Sequence, residues 1–214
     1  MTGLFKPAAT WALVPLKAPE RAKSRLAGVL NPAQRTRLVL ELAEGVITAL
    51  RATRGIDYVA VVTASPVIAE LSRALHARPL LQAADEGMSA ALDAGLRELQ
   101  PHAPARVLMV PGDLPLISPA ALAAFLDGAG RSPGVAIVPD RHHVGTNLLL
   151  CSPPDAIAPC FGEHSFERHL AAAGTAGVDA RVLDIAELAL DLDEPQDLEY
   201  LHAWENAVAR RMAR

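Results

Sequence analysis

Arg106-Val107-Leu108-Met109-Val110-Pro111-Gly112-Asp113-Leu114-Pro115 reads as a short, very apolar strand, Arg106 to Pro111, that runs into a single carboxylate. Open α/β sheets collect ligands at the carboxyl ends of their strands, so Asp113 stands where a functional side chain is expected. The same residues also read as a plain turn, with Asp113 stabilising the bend before Pro115.

Outward from this strand, apolar β-branched or Leu-rich runs recur at Trp11 to Leu16, Tyr58 to Thr63, Pro79 to Gln82, Val135 to Pro139, Thr146 to Cys151 and Ala180 to Asp184. They alternate with longer segments of helical period, the pattern of crossover units on a mainly parallel sheet buried on both faces. Asn31 is placed to cap a helix that has Pro32 in its first turn and one stripe of Leu38, Leu42, Val46 and Leu50 ending before Gly55. Ser118-Pro119 repeats that start signal ahead of Leu122, Phe125 and Leu126, and a last helix from Pro195 carries Leu198, Leu201 and Trp204 into a basic tail. With no repeat and no dividing linker, residues 1–214 are expected to form one α/β domain.

Hydrophobic residues make up 51% and charged residues 21%, enough apolar surface for a sizeable core and far from the composition of a disordered chain. A net charge of -4 argues against nucleic acid, which needs a basic face. Cys151 and Cys160 form no CxxC and have no obvious ligand partners, which suits a reducing compartment. Met1 to Lys17 lacks the form of a leader and no later stretch is long and apolar enough for a bilayer, so a cytoplasmic protein is expected.

Asp191-Leu192-Asp193 precedes the last helix, and strand-like alternation puts its two carboxylates on one side with Leu192 on the other. Either acid can join Asp113 around magnesium, which takes one or two protein carboxylates and fills its shell with water and phosphate. Either can equally serve the dipole of the helix that follows. Lys17, Arg21, Lys23 and Arg25 follow the first strand and form a cationic loop of the kind a triphosphate needs, or else an ordinary solvated surface. GxxxxGK[ST] and GxGxxG are both absent, which excludes the P-loop and dinucleotide-binding patterns. Gly145-Thr146-Asn147 opens a strand, while Phe161-Gly162-Glu163-His164-Ser165-Phe166 opens a helix on which Ser165 and His169 share a face. Free amides after Gly162 make an anion pocket for an acidic, phosphorylated acceptor; the alternative is a capped helix with a surface histidine.

In this order, VPLK with AKSRL, PGDLP, PDRHHVGTN, FGEHSFERH and LDLDEPQDL resemble the CofC/FbiD family, the phospholactate-type guanylyltransferases of deazaflavin coenzyme biosynthesis. The resemblance covers nearly the whole chain, and GTN followed by FGxxSFxxH is its most specific part. It implies a three-layer, glycosyltransferase-A-like nucleotidyltransferase fold with a mainly parallel mixed sheet. It also implies transfer of GMP from GTP to 2-phospho-L-lactate, phosphoenolpyruvate or 3-phospho-D-glycerate, with magnesium as cofactor. Thr146, Gly162 and Ser165 would hold the acceptor, joined by Asn147, His142 and His169. Lys17, Lys23, Arg25 and Ser89 would face the nucleotide, Asp113 and Lys23 would carry catalysis, and Asp113 with Asp193 or Asp191 would hold the metal. The implied partners are GTP and a small phosphorylated acid, not nucleic acid or membrane; a homodimer is left open.

The chain departs from the family at three places. Met88-Ser89 stands where a Leu-Asn pair is usual, His142-His143 where a glycine is usual, and Glu194, a poor N-cap, where a threonine is usual. The first two point to a modified acceptor pocket and bring 3-phospho-D-glycerate in beside phosphoenolpyruvate. The rival readings are a molybdopterin or sugar-phosphate nucleotidyltransferase, which would need a glycine-rich LAGGxGxR loop that is missing here, and a non-catalytic nucleotide-binding regulator.

Overall fold

The computed structural model describes residues 9–212, so the expectation of no leader at residues 1–8 and the end of the basic tail lie outside the described residues. Its strands are β1 (Thr10–Pro15), β2 (Tyr58–Thr63), β3 (Arg78–Leu81), β4 (Arg106–Met109), β5 (Gly134–Pro139), β6 (Thr146–Ser152) and β7 (Asp179–Val182). They form one sheet in the order β3-β2-β1-β4-β6-β5-β7. β6 runs antiparallel to both of its neighbours, and the other pairs are parallel. Only residues 140–145 separate β5 from β6, too few for a crossover, so those two strands pair as a hairpin.

The helices are α1 (Pro32–Ala52), α2 (Pro66–Ala74), α3 (Met88–Leu99), α4 (Pro119–Gly128), α5 (Ser165–Ala176), the short α6 (Ala186–Ala189) and α7 (Pro195–Met212). Asn31 and Gln34 form a complete capping box at the start of α1, and the Ser118 side chain accepts from the Ala121 amide at the start of α4. The period-2 alternation of β1 divides the core in two. Ala12, Val14 and Leu16 face α1, α2, α4 and α6, whereas Trp11 and Leu13 face α3 and α5. Each fully buried large apolar side chain contributes about 1.5 to 3 kcal/mol, so the helix layers close over the inner strands, whereas the edge strands β3 and β7 stay partly uncovered and the expected burial on both faces does not extend to them. A third cluster of Leu26, Leu42 and Leu192, with Leu198 and Leu201 against it, fastens the cationic loop and α7 to α1. Among the described residues, no helix is long and apolar enough to cross a membrane.

The reversed strand places the functional edge. Because β6 runs backwards, its first residues, Thr146 and Asn147, lie beside the carboxyl ends of β4 and β5. The acidic turn after β4 and the GTN segment therefore share one rim.

Candidate active site

Asp113 is held at that rim by the backbone. Val110 continues the strand, its amide donating a hydrogen bond to the Leu13 carbonyl, and the Asp113 carbonyl accepts from the Leu192 amide at 3.1 Å. That second bond draws Asp191-Leu192-Asp193 alongside, with Leu192 buried and both carboxylates on the cleft side. Gly112 leaves room for Leu16 beside this turn, since a Cβ there would lie 2.0 Å from Leu16 Cδ2.

Lys23 occupies the centre. Its backbone is left-handed at φ 56, a conformation uncommon outside glycine and asparagine, and its side chain is 7% exposed. Nζ donates to Asp113 Oδ2 at 2.5 Å and to Asp193 Oδ1 at 2.7 Å. Burial opposes the ammonium charge, but the two carboxylates outweigh it and hold its pKa above the usual lysine value. Burial, and then the charges of Asp113 and Asp193, push the Asp191 carboxyl up to about 6. Asp113 Oδ1 is buried without a hydrogen-bond partner. Asp113 and Asp193 share one ammonium, Asp191 lies beside them with its charge unmatched by it, and one acceptor atom is unsatisfied, so the donor set fits a further cation. Among the described residues, no group of three or more His, Cys, Asp or Glu is arranged to hold a metal unaided. A cation here would draw the rest of its shell from water and phosphate.

Two larger clefts flank this centre. One, of about 660 Å³, lies beyond the ends of β1 and β2 and is lined by Lys17, Arg21, Ser65, Gln82 and Asp85. The other, of about 600 Å³, is lined by Asp113, Arg141, Thr146, Gly162, Ser165 and Asp193. A smaller cleft containing Lys23 shares Lys17 and Arg21 with the first and Asp113 and Asp193 with the second, so the trough is continuous.

The expected residues gather here, several with altered roles. Thr146, Gly162 and Ser165 line the second cleft together. Gly162 has φ 117, which an L side chain rarely adopts, and it shapes the turn into α5. Asn147 is on the wall, but its amide donates to the Leu188 carbonyl at 3.0 Å and tethers α6. His142 borders the cleft and accepts from Arg141 Nε at 2.9 Å. His143 turns away toward Asp184 at 3.5 Å and stacks edge-on against Phe166.

His169 does not reach the cleft and is not a surface histidine. It is fully buried, with Nδ1 2.9 Å from Thr146 Oγ1 and Nε2 accepting from the Cys160 amide at 2.9 Å. Burial, and then the Arg168 charge, lower its pKa to about 4. Ser89 is expected at the nucleotide, yet its hydroxyl donates to the Phe161 carbonyl at 3.2 Å; at this turn Met88 lines the trough. Lys17 stays with the first cleft, 3.9 Å from Asp85, whereas Arg25 sits on the second and pairs with Glu194 at 3.3 Å.

Glu194 makes no N-cap. Instead Asp197, inside the first turn of α7, accepts from the Asp193 and Glu194 amides at 2.8 and 2.6 Å. Asp197 also pairs with Arg141 at 2.6 Å, and the Arg141 guanidinium lies 5.1 Å from the centre of the Tyr200 ring. Sequence reasoning does not find Arg141, a lone arginine beside two histidines that has no spacing signal. It also passes over Asp140, whose carboxylate accepts from the His142, Val144 and Gly145 amides and shapes the turn into β6.

A Methanothermobacter nucleotidyl transferase superposes with a TM-score of 0.66 at 19% identity, over 94% of this chain and 99% of its own. A Desulfovibrio desulfuricans protein assigned to the nucleotide-diphospho-sugar transferases does so with a TM-score of 0.72 at 15% identity, over 90% of this chain and 85% of that one. The fold is the one these nucleotidyltransferase structures share. The family model described as guanylyl transferase CofC like matches residues 10–210. Phosphoenolpyruvate guanylyltransferases from Rubrobacter xylanophilus and Conexibacter woesei are 43% and 41% identical, each over 90% of this chain and over 93% and 86% of their own. The chain belongs to the CofC-like guanylyl transferase family.

Proposed function

We propose that this protein transfers GMP from GTP to phosphoenolpyruvate, releases pyrophosphate, and acts in the cytoplasm as a step of deazaflavin coenzyme biosynthesis. The observation that carries this reading is Lys23 clamped between Asp113 and Asp193 where the two clefts meet. The nucleoside lies in the first cleft, its triphosphate runs past Lys17, Arg21 and Lys23, and the acid lies against Thr146, Gly162 and Ser165. The names of the relatives favour phosphoenolpyruvate. The case for 3-phospho-D-glycerate weakens, because only one of the two loop histidines borders the cleft.

A phosphate oxygen of the acid attacks the α-phosphorus of GTP in line, and the bond to pyrophosphate breaks. A phosphate monoester has its second pKa near ~6 and is already ionised at neutral pH, so no side chain must remove a proton. Catalysis is left to positioning and charge neutralisation. Lys23 draws charge from the α-phosphate, and Arg25 and Arg141 hold anionic oxygens at the second cleft. Asp113 with Asp193, and with Asp191 beside them, would hold magnesium, which would supply Lewis-acid neutralisation of the phosphates.

The test is pyrophosphate release with GTP and magnesium, offering phosphoenolpyruvate, 3-phospho-D-glycerate and 2-phospho-L-lactate separately. Release with phosphoenolpyruvate is expected to exceed the others; release with another acid alone would reassign the acceptor. Silence with all three would return the choice to another nucleotidyltransferase or a non-catalytic binder.

A further inference from the structure

We propose that His169 is a positioning residue that fixes the Thr146 hydroxyl as a hydrogen-bond donor to an anionic oxygen of the phosphorylated acid. The identity of the acid rests on the guanylyl-transfer reading; the geometry does not. Both ring nitrogens are committed. A backbone amide can only donate, so the Cys160 N–H, 2.9 Å from Nε2, makes Nε2 the unprotonated nitrogen. The single proton of the neutral ring is then on Nδ1, 2.9 Å from Thr146 Oγ1, and the hydroxyl oxygen accepts it.

That acceptance decides where the hydroxyl proton goes. It cannot point at His169, and among the described residues the Thr146 hydroxyl has no other partner, so it is free to point into the cleft that Thr146 lines. Phe161 packs edge-on against the imidazole with ring centroids 5.0 Å apart, which holds the ring plane, and burial keeps the ring neutral. A hydroxyl aimed in advance costs no reorientation when an anion arrives, and its bond to a charged oxygen is a strong one. His169 touches neither substrate nor cleft and acts only through Thr146.

Two substitutions split the two bonds of the ring. His169→Asn can present an amide N–H where Nδ1 stood, but it cannot reach Cys160. His169→Gln reaches the Nε2 position, but leaves Thr146 without a donor. KM for phosphoenolpyruvate is expected to rise roughly 10-fold in His169→Gln and to stay within about 3-fold of native in His169→Asn, with KM for GTP unchanged in both. Thr146→Val should show the same rise, and adding His169→Gln to it should add little.

The reverse order of the two histidine variants, or equal losses for GTP and the acid, would show that His169 only anchors the Cys160 loop and would overturn the proposal. Nitrogen-15 NMR of the unliganded, histidine-labelled protein reads the tautomer without turnover. Protonated Nδ1 with bare Nε2 supports the proposal, and the opposite tautomer or a doubly protonated ring at neutral pH sinks it. The expected tautomer in a protein that transfers no GMP would sink the functional reading and leave the His169–Thr146 geometry standing.

Discussion

Lys23 and Asp113 are 90 residues apart in the chain, yet Lys23 Nζ lies 2.5 Å from Asp113 Oδ2. The same ammonium bridges to Asp193 at 2.7 Å, which ties the loop after β1, the turn after β4 and the segment before α7 into one charged centre. The centre stands where the two clefts join, so any two ligands filling both would meet there.

Asp113→Asn keeps the shape of the side chain and removes its charge. Turnover is expected to fall by roughly 100-fold or more, the scale for losing one preorganised electrostatic group. Because the amide oxygen can still accept from Lys23, which keeps Asp193 as its charged partner, the circular dichroism spectrum should stay native. Near-native rates in this variant would remove Asp113 from the reaction.

Lys23→Met leaves Asp113 and Asp193 without their shared cation, beside Asp191. The metal-free variant should be less stable by about 3 kcal/mol, the low end for breaking a buried pair, because the Asp193 side chain is 47% exposed. Magnesium should then raise the melting temperature of the variant more than that of the native protein, since binding to the folded state stabilises it. Equal responses in thermal melts would contradict a shared cation site.

Much of this was legible in the residues. The strands fall within two residues of their expected bounds, because the inner strands are continuous apolar runs, and Asn31-Pro32 and Ser118-Pro119 mark the helix starts between them. The reversal of β6 is not written in its own composition, which is as apolar as that of its neighbours; the six residues before it are the only hint. That Asp113, Thr146 and Ser165 line one cleft was legible from the carboxyl end of an apolar strand and from the motifs that carry the family resemblance. The environments of His169, His143 and Ser89 were not, because side-chain direction at a turn or helix start depends on contacts between distant segments.

Gly112→Ala drives a methyl group into Leu16, which is itself packed in the core. Overpacking of this kind costs about 1 to 3 kcal/mol and should also shift Asp113, lowering kcat while leaving KM for GTP little changed. Adding Leu16→Ala opens the space and should restore part of kcat. Failure of that rescue would detach Asp113 placement from the Gly112 contact.

His169 gives stability a defined pH dependence. Its ordinary value is 6.5 and the folded value is about 4, so between those pH values the unfolded ring binds a proton that the folded ring does not. Stability is therefore complete above about pH 6.5 and falls by up to about 3 kcal/mol as the pH drops to about 4. Urea titrations across this range should show the decline in the native protein and a flatter profile in His169→Asn. Parallel profiles would place the titration elsewhere.

The central claim is nucleotidyl transfer at the Lys23 and Asp113 centre, and label partition tests it most directly. Native protein is incubated with magnesium, phosphoenolpyruvate and GTP labelled at either the α- or the γ-phosphate. The account predicts that α-label enters a diphosphate-linked acid while γ-label leaves in pyrophosphate, and that Asp113→Asn stops both. Transfer of γ-label to the acid, or release of free phosphate with no labelled acid, would contradict it.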